Sequence, residues 1–153
     1  MSIIDLLFGS KKTYNHPIIG ALRSQRIKGQ NLTRNYTWYG NVVLNGKSQE
    51  TTIILEGDSY RPYTIHLDFI SQLIQNWSTF YLPKIENKFK EIEILKIKKY
   101  FNWKNDFYLS AIYPLSDKSS DFELILEPFD KYKTNSIAIE VKNDIVAKVV
   151  IHD

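Results

Sequence analysis

The sequence contains no cysteine. That excludes disulfides, thiolate metal ligands and cysteine nucleophiles, and leaves packing to hold the fold. Glycine is scarce, six in 153 residues, and nowhere takes GxGxxG or GxxxxGK[ST] spacing, so no phosphate-cradling loop is encoded. There is no GxSxG elbow. The three histidines, His16, His66 and His152, stand apart, without the HxH, HxxxH or HExxH spacing of zinc sites. His66 is expected at the surface or at a helix cap, and His152 at a fraying end. No apolar run approaches the roughly 20 residues that span a bilayer. The opening "MSIIDLLFGSKK" has no basic leading region, and Asp5 interrupts its apolar run, so it does not read as a secretory signal. The expectations are a cytoplasmic location, no cofactor, no metal and no membrane partner.

What is present suits one domain covering 1–153, with 1–15 as a short docking segment in which Ile3 to Phe8 forms an amphipathic turn. Hydrophobic residues make up 43% and charged ones 24%, an ordinary globular balance that argues against disorder. Aromatics at 14% enlarge the core so short a chain can build. Charge is unevenly placed. From Leu6 to Gln49 every formal charge is positive, whereas from Asp106 onward nine acids face five lysines. Such a chain can present a polarised surface that steers a charged partner.

Periodicity divides the chain into three. "HPIIGALRSQ" (16–25) has a β-branched pair after Pro17 and reads as a strand. "YTWYGNVVLNG" (36–46) places Tyr36, Trp38, Val42 and Leu44 on one parity, with Gly40 marking a bulge. "NGK" (45–47) is a hairpin turn signal, and "ETTIILEG" (50–57) returns. The period then lengthens. Ile65, Phe69, Ile70, Leu73, Ile74 and Trp77 share one helical face. Asn76 to Thr79 breaks it, Ser78 or Thr79 caps a second helix, and Pro83 suits that helix's first turn. Its stripe continues through Leu82, Ile85, Phe89 and Ile92 into 84–100. Alternation returns in 106–113 and 121–127, and "KND" (142–144) joins two last strands as a hairpin. The fold class is α+β: an antiparallel β-meander, two central helices and a second antiparallel meander, with the helices packed on one sheet face.

Two segments interleave basic and aromatic residues: "RNYTWYG" (34–40) and "KIKKYFNWKNDF" (96–107). Arg34, Lys98 and Lys99 could bind phosphates while Tyr100 and Trp103 stack on bases. Aromatics are also preferred strand residues, and only four arginines occur although arginine is the favoured base reader. Of the carboxylate pairs, Glu123 and Glu127 share a strand face, which reads as a solvated one.

Several stretches taken in order resemble a group of small bacterial domains of unknown function. "HPIIGAL" (16–22) looks like that group's opening strand, and "WYGNVVLNGK" (38–47) like its aromatic strand leading into a hairpin. Residues 67–85 resemble its helical segment, and 121–146 its terminal strand, acidic loop and closing hairpin. Where that group often has His-Gly before the hairpin, this chain has Asn135-Ser136. The resemblance implies an α+β domain without established enzymatic activity, similar to immunity proteins that occlude secreted bacterial toxins. On this reading the chain is a non-catalytic protein-binding domain. Asp121, Glu123, Glu127, Asp130 and Tyr132 would face a basic, nuclease-type toxin. The alternative is a nucleic-acid-binding module using the basic N-terminal third and the 96–107 cluster.

Overall fold

Strand-forming alternation dominates both ends of the chain, and the structure, a computed structural model, describes residues 1–44 and 47–153. The hairpin turn expected at Asn45-Gly46 lies outside the described residues. A short helix α1 (Ile3–Phe8) leads into four strands, β1 (Ser10–His16), β2 (Gly20–Ile27), β3 (Tyr36–Val43) and β4 (Glu50–Gly57). Helix α2 (Thr64–Asn76), a π turn (Trp77–Tyr81) and α3 (Leu82–Glu91) follow without a break. Two 3-10 turns and the one-turn helix α4 (Trp103–Asp106) then lead to β5 (Phe107–Pro114), β6 (Phe122–Pro128), β7 (Ser136–Lys142) and β8 (Ile145–His152).

All eight strands form one sheet in sequence order. Each neighbouring pair is antiparallel except β4 and β5, which run parallel. The expected two meanders are therefore each four-stranded, and the helical crossover returns the chain so that they join edge to edge. A parallel junction requires such a crossover, because two parallel strands cannot share a hairpin.

The helical layer covers one sheet face. Tyr36, Trp38, Val42 and Leu44 are all buried, as their shared parity predicts, and so are Leu124, Leu126, Ile137, Ile139 and Val141 across β6 and β7. Phe69 of α2 stacks on Phe122 of β6 at 4.2 Å between ring centroids, and Phe89 of α3 meets Trp103 edge-on at 4.7 Å. One continuous apolar cluster runs from Ile19 to Val146 and includes strands of both meanders.

Five expectations need correction. Ser10–His16 is a strand, so part of the expected docking segment belongs to the sheet, and Pro17 sits in the turn between β1 and β2 rather than in a strand. The amphipathic turn at Ile3–Phe8 is a helix with no buried residue, because its one acid is turned to Arg26 while its apolar residues point outward. Gly40 carries no bulge: β3 and β4 stay in register through Gly40↔Ile53. A Cβ there would lie 2.5 Å from Leu22 Cδ2, so glycine lets the Leu22 side chain pass. Asn76 to Thr79 does not end a helix; the π turn absorbs it, and no side chain caps α3. The apolar stripe past Glu91 does not continue the helix either, since Glu93 takes a left-handed conformation (φ 60°) before the 3-10 turns. The KND hairpin forms as expected, with Asn143 and Asp144 both at positive φ, the geometry a two-residue turn requires.

Candidate partner-binding face

Among the described residues no helix covers the sheet's second face. Alternation sends every other side chain there, and the strand registers fix which ones become neighbours. One row crosses the second meander through Ala111, Ile125, Ala138 and Val150, which pair in that order. It is a strip of small and branched apolar side chains, with Ala111, Ile125 and Val150 half-buried and Ala138 buried between them. Beside it runs a second row, Tyr113, Glu123, Glu140 and Lys148, again paired strand to strand. On the other flank Tyr108 lies opposite Glu127 and donates to its carboxylate at 3.3 Å. The apolar strip is thus bordered by acids on both sides.

Glu123 and Glu140 stand directly opposite each other, an arrangement that destabilises a sheet when neither charge is offset. Each is partly answered. The Tyr113 hydroxyl donates to Glu123, and burial together with that bond pushes the Tyr113 phenol up to about 12. Lys142 lies 3.0 Å from Glu140 and Lys148 4.0 Å. Both lysines are about half exposed or more, so these pairs are weak.

The first meander presents the opposite sign. Lys11, Arg23, Gln25, Tyr39 and Asn41 line a shallow trough of about 550 Å³ on the same side of the sheet. It opens because β2 and β3 pair at only two positions, Arg23↔Tyr39 and Ser24↔Trp38. Beyond these, the Gln25 side chain accepts from the Thr37 amide at 3.3 Å in place of a ladder bond. In β1, a bulge frees the Lys12 amide, which donates to the buried Ser24 hydroxyl at 2.8 Å.

The predicted site residues fall into three places. Glu123 and Glu127 share the open face of β6. Asp121 sits before that strand, accepting from the Asn143 amide at 3.2 Å. Asp130 and Tyr132 lie beyond its other end, in the loop to β7, where Asp130 accepts from the Tyr132 amide at 3.0 Å and Tyr132 is 85% exposed. The strand separates Asp121 from Tyr132 by roughly 20 Å, so the five do not form one cluster. Sequence reasoning missed Glu140, Ile125 and Tyr113. Their alternation was visible in 106–113, 121–127 and 136–142, but which of them touch depends on the β5–β6 and β6–β7 registers, which alternation along a single strand does not fix.

The basic and aromatic cluster at 96–107 divides differently. Tyr100 and Trp103 are buried in the core, so their faces are closed to stacking. Lys99 pairs with Asp153, and the Tyr100 hydroxyl donates to the same carboxylate at 3.1 Å. Lys98 is exposed. Arg34 lies on the β2–β3 loop over the ring of Tyr36, which is itself buried.

His66 is fully buried rather than superficial, and its place explains how the two meanders hold together. Strands β4 and β5 pair only at Thr52↔Ala111 and Ile53↔Ile112. On one side of that contact the Thr51 hydroxyl donates to the Leu109 carbonyl at 2.7 Å. On the other side, His66 Nδ1 accepts from the Glu56 amide at 3.2 Å, and Nε2 lies 2.9 Å from the Ser116 carbonyl. This is the neutral tautomer with its proton on Nε2. Burial lowers the His66 pKa, against the smaller raising effect of its backbone bonds. Nearby, burial and then the charge of Asp117 raise the Glu56 carboxyl. No trio of histidine, aspartate or glutamate side chains among the described residues is arranged to hold a metal ion. Comparisons with protein families, curated proteins and solved structures find no match to this chain.

Proposed function

We propose that the chain is a non-catalytic protein-binding domain whose open sheet face takes a basic macromolecular partner, acting as an immunity protein that occludes a cognate toxin domain. The observation that carries this reading is the apolar row Ala111, Ile125, Ala138 and Val150, bordered by Glu123, Glu140 and Glu127. A dry strip with a charged border is how protein interfaces are built. The paired glutamates add direction. Adjacent like charges cost the free protein stability, and a lysine or arginine from a partner would relieve that cost. The acidic residues expected from sequence contribute Glu123 and Glu127 to this face, with Asp130 and Tyr132 at its rim. The immunity role itself rests on the resemblance of the chain's short motifs.

The test is coexpression with the product of the adjacent gene, scored by copurification and by rescue of growth. The double variant Glu123→Gln, Glu140→Gln should weaken the complex roughly tenfold or more, as loss of desolvated charge pairs does. Its thermal midpoint should stay level or rise, since the like-charge contact is gone. Absence of both complex and rescue rejects the immunity role, and a complex untouched by the double variant rejects this face.

A further inference from the structure

Helix α1 exposes Ile3, Ile4, Leu6, Leu7 and Phe8 at 54–77% each, and buries nothing. Single exposed apolar residues need no explanation, but five within six positions do. At 100° per residue they surround most of the helix, so no one stripe is offered to a groove. Nor is α1 a loose end. The Ser2 hydroxyl accepts from the Asp5 amide at 3.1 Å and the Ser2 amide donates to Asp5, closing a capping box. Arg26 Nη1 donates to both Asp5 Oδ1 and the Gly9 carbonyl at 2.8 Å, and Lys28 Nζ reaches the Leu7 carbonyl at 3.3 Å. Gly9, at φ +82°, passes so near β2 that a Cβ would fall 2.2 Å from the Ile27 carbonyl oxygen. The fold thus fixes the helix in place with its apolar side chains facing out.

We propose that α1 docks the protein on an anionic lipid surface, a partner beyond the one assigned to the sheet face and contrary to the expectation of no membrane partner drawn from the lack of a long apolar run. Charge selects this occupant. The one acid of α1, Asp5, is neutralised by Arg26, and every other formal charge up to Gln49 is positive, with Lys11 and Lys28 exposed beside the helix. A lipid interface accepts a short helix that is apolar on most sides, while flanking lysines meet headgroup phosphates. A second copy would instead bring two such basic surroundings together. No helix among the described residues is long and apolar enough to cross a membrane, so the contact is peripheral.

The experiment is sedimentation of the full chain with phosphatidylcholine vesicles, with and without phosphatidylserine. Binding should require phosphatidylserine and weaken as salt rises. Leu7→Asp with Phe8→Asp should reduce it roughly tenfold or more, by the loss of two buried apolar side chains. Lys11→Glu with Lys28→Glu should reduce it by a similar factor, at about fivefold or more per basic residue. Because Leu7 and Phe8 are more than half exposed and α1 has no buried residue, circular dichroism should show both variants folded; Leu6→Ser with Leu7→Ser provides a milder pair. Equal binding to neutral vesicles, or binding unchanged by these variants, overturns the proposal. So does self-association in solution that the Leu7 and Phe8 variant abolishes while vesicles recruit nothing, which assigns the helix to a second copy.

Discussion

His66 links two backbone groups that no strand partner reaches. Protonation would place a second N–H against the Glu56 amide, so the charged ring loses both its solvent and one of its bonds. The sign follows from proton counting. The folded-state pKa lies below the ordinary value of about 6.5, so between the two the unfolded chain binds more protons. The contribution to stability is complete above that ordinary value and declines as the pH falls toward the folded one. Urea midpoints measured from pH 8 to pH 5 should therefore drop on the acid side. In His66→Leu the part-buried Glu56 amide loses its acceptor, while the Ser116 carbonyl, on an exposed residue, can turn to water, which together should cost about 1–3 kcal/mol at pH 8. The difference between the two proteins should shrink as the pH falls, and a constant difference across that range would count against the seam role. Nothing in the sequence marked this histidine as the buried one of the three. Its burial depends on the short β4–β5 contact, and that contact depends on the crossover.

At the scale of elements, legibility followed the strength of alternation. Strands β3 to β8 could be placed from residues such as Tyr36, Trp38, Ile53, Leu55, Phe122 and Leu124, because one of their faces is core. Strand β1, "SKKTYNH", could not. It is an edge strand whose inward positions, Lys12, Tyr14 and His16, are only half-buried, so apolar alternation was never required of it. Gly40 misled for a different reason. Its missing side chain serves the neighbouring strand, and pattern along one strand cannot show what crosses from the next. Gly40→Ala should destabilise by roughly 1–3 kcal/mol, the usual cost of overpacking a core. In a Leu22→Val background the obstructing Cδ2 is gone and most of that cost should disappear. Chemical denaturation of the four proteins closes the cycle, and additive effects would refute the contact.

Across the whole molecule, the charge asymmetry visible in the sequence survives folding because strand order equals chain order. Lys11, Lys12, Arg23 and Arg26 of the first third stand on β1 and β2, and Glu123, Glu127 and Glu140 of the last third stand on β6 and β7. Which way the halves join was not visible, since a parallel seam leaves no local signature. That seam is narrow, two residue pairs flanked by Thr51 and His66, so the halves depend on the helical layer to behave as one body. The apolar cluster beneath α2 and α3 reaches from Ile19 to Val146 as one body, and Phe69 of α2 stacks on Phe122 of β6. A continuous core of this kind unfolds in one step. The three tryptophans can report on it separately: Trp38 sits in the first meander, Trp77 in the π turn, and Trp103 beside Phe89 ahead of β5. In Trp77→Phe with Trp103→Phe, fluorescence follows Trp38 alone. In Trp38→Phe it follows the helical layer and the second meander. Within each variant the fluorescence and circular dichroism midpoints in urea should coincide, whatever the substitutions do to stability. A fluorescence midpoint displaced from the dichroism midpoint in either variant would mean that the two meanders open independently and that the seam does not couple them.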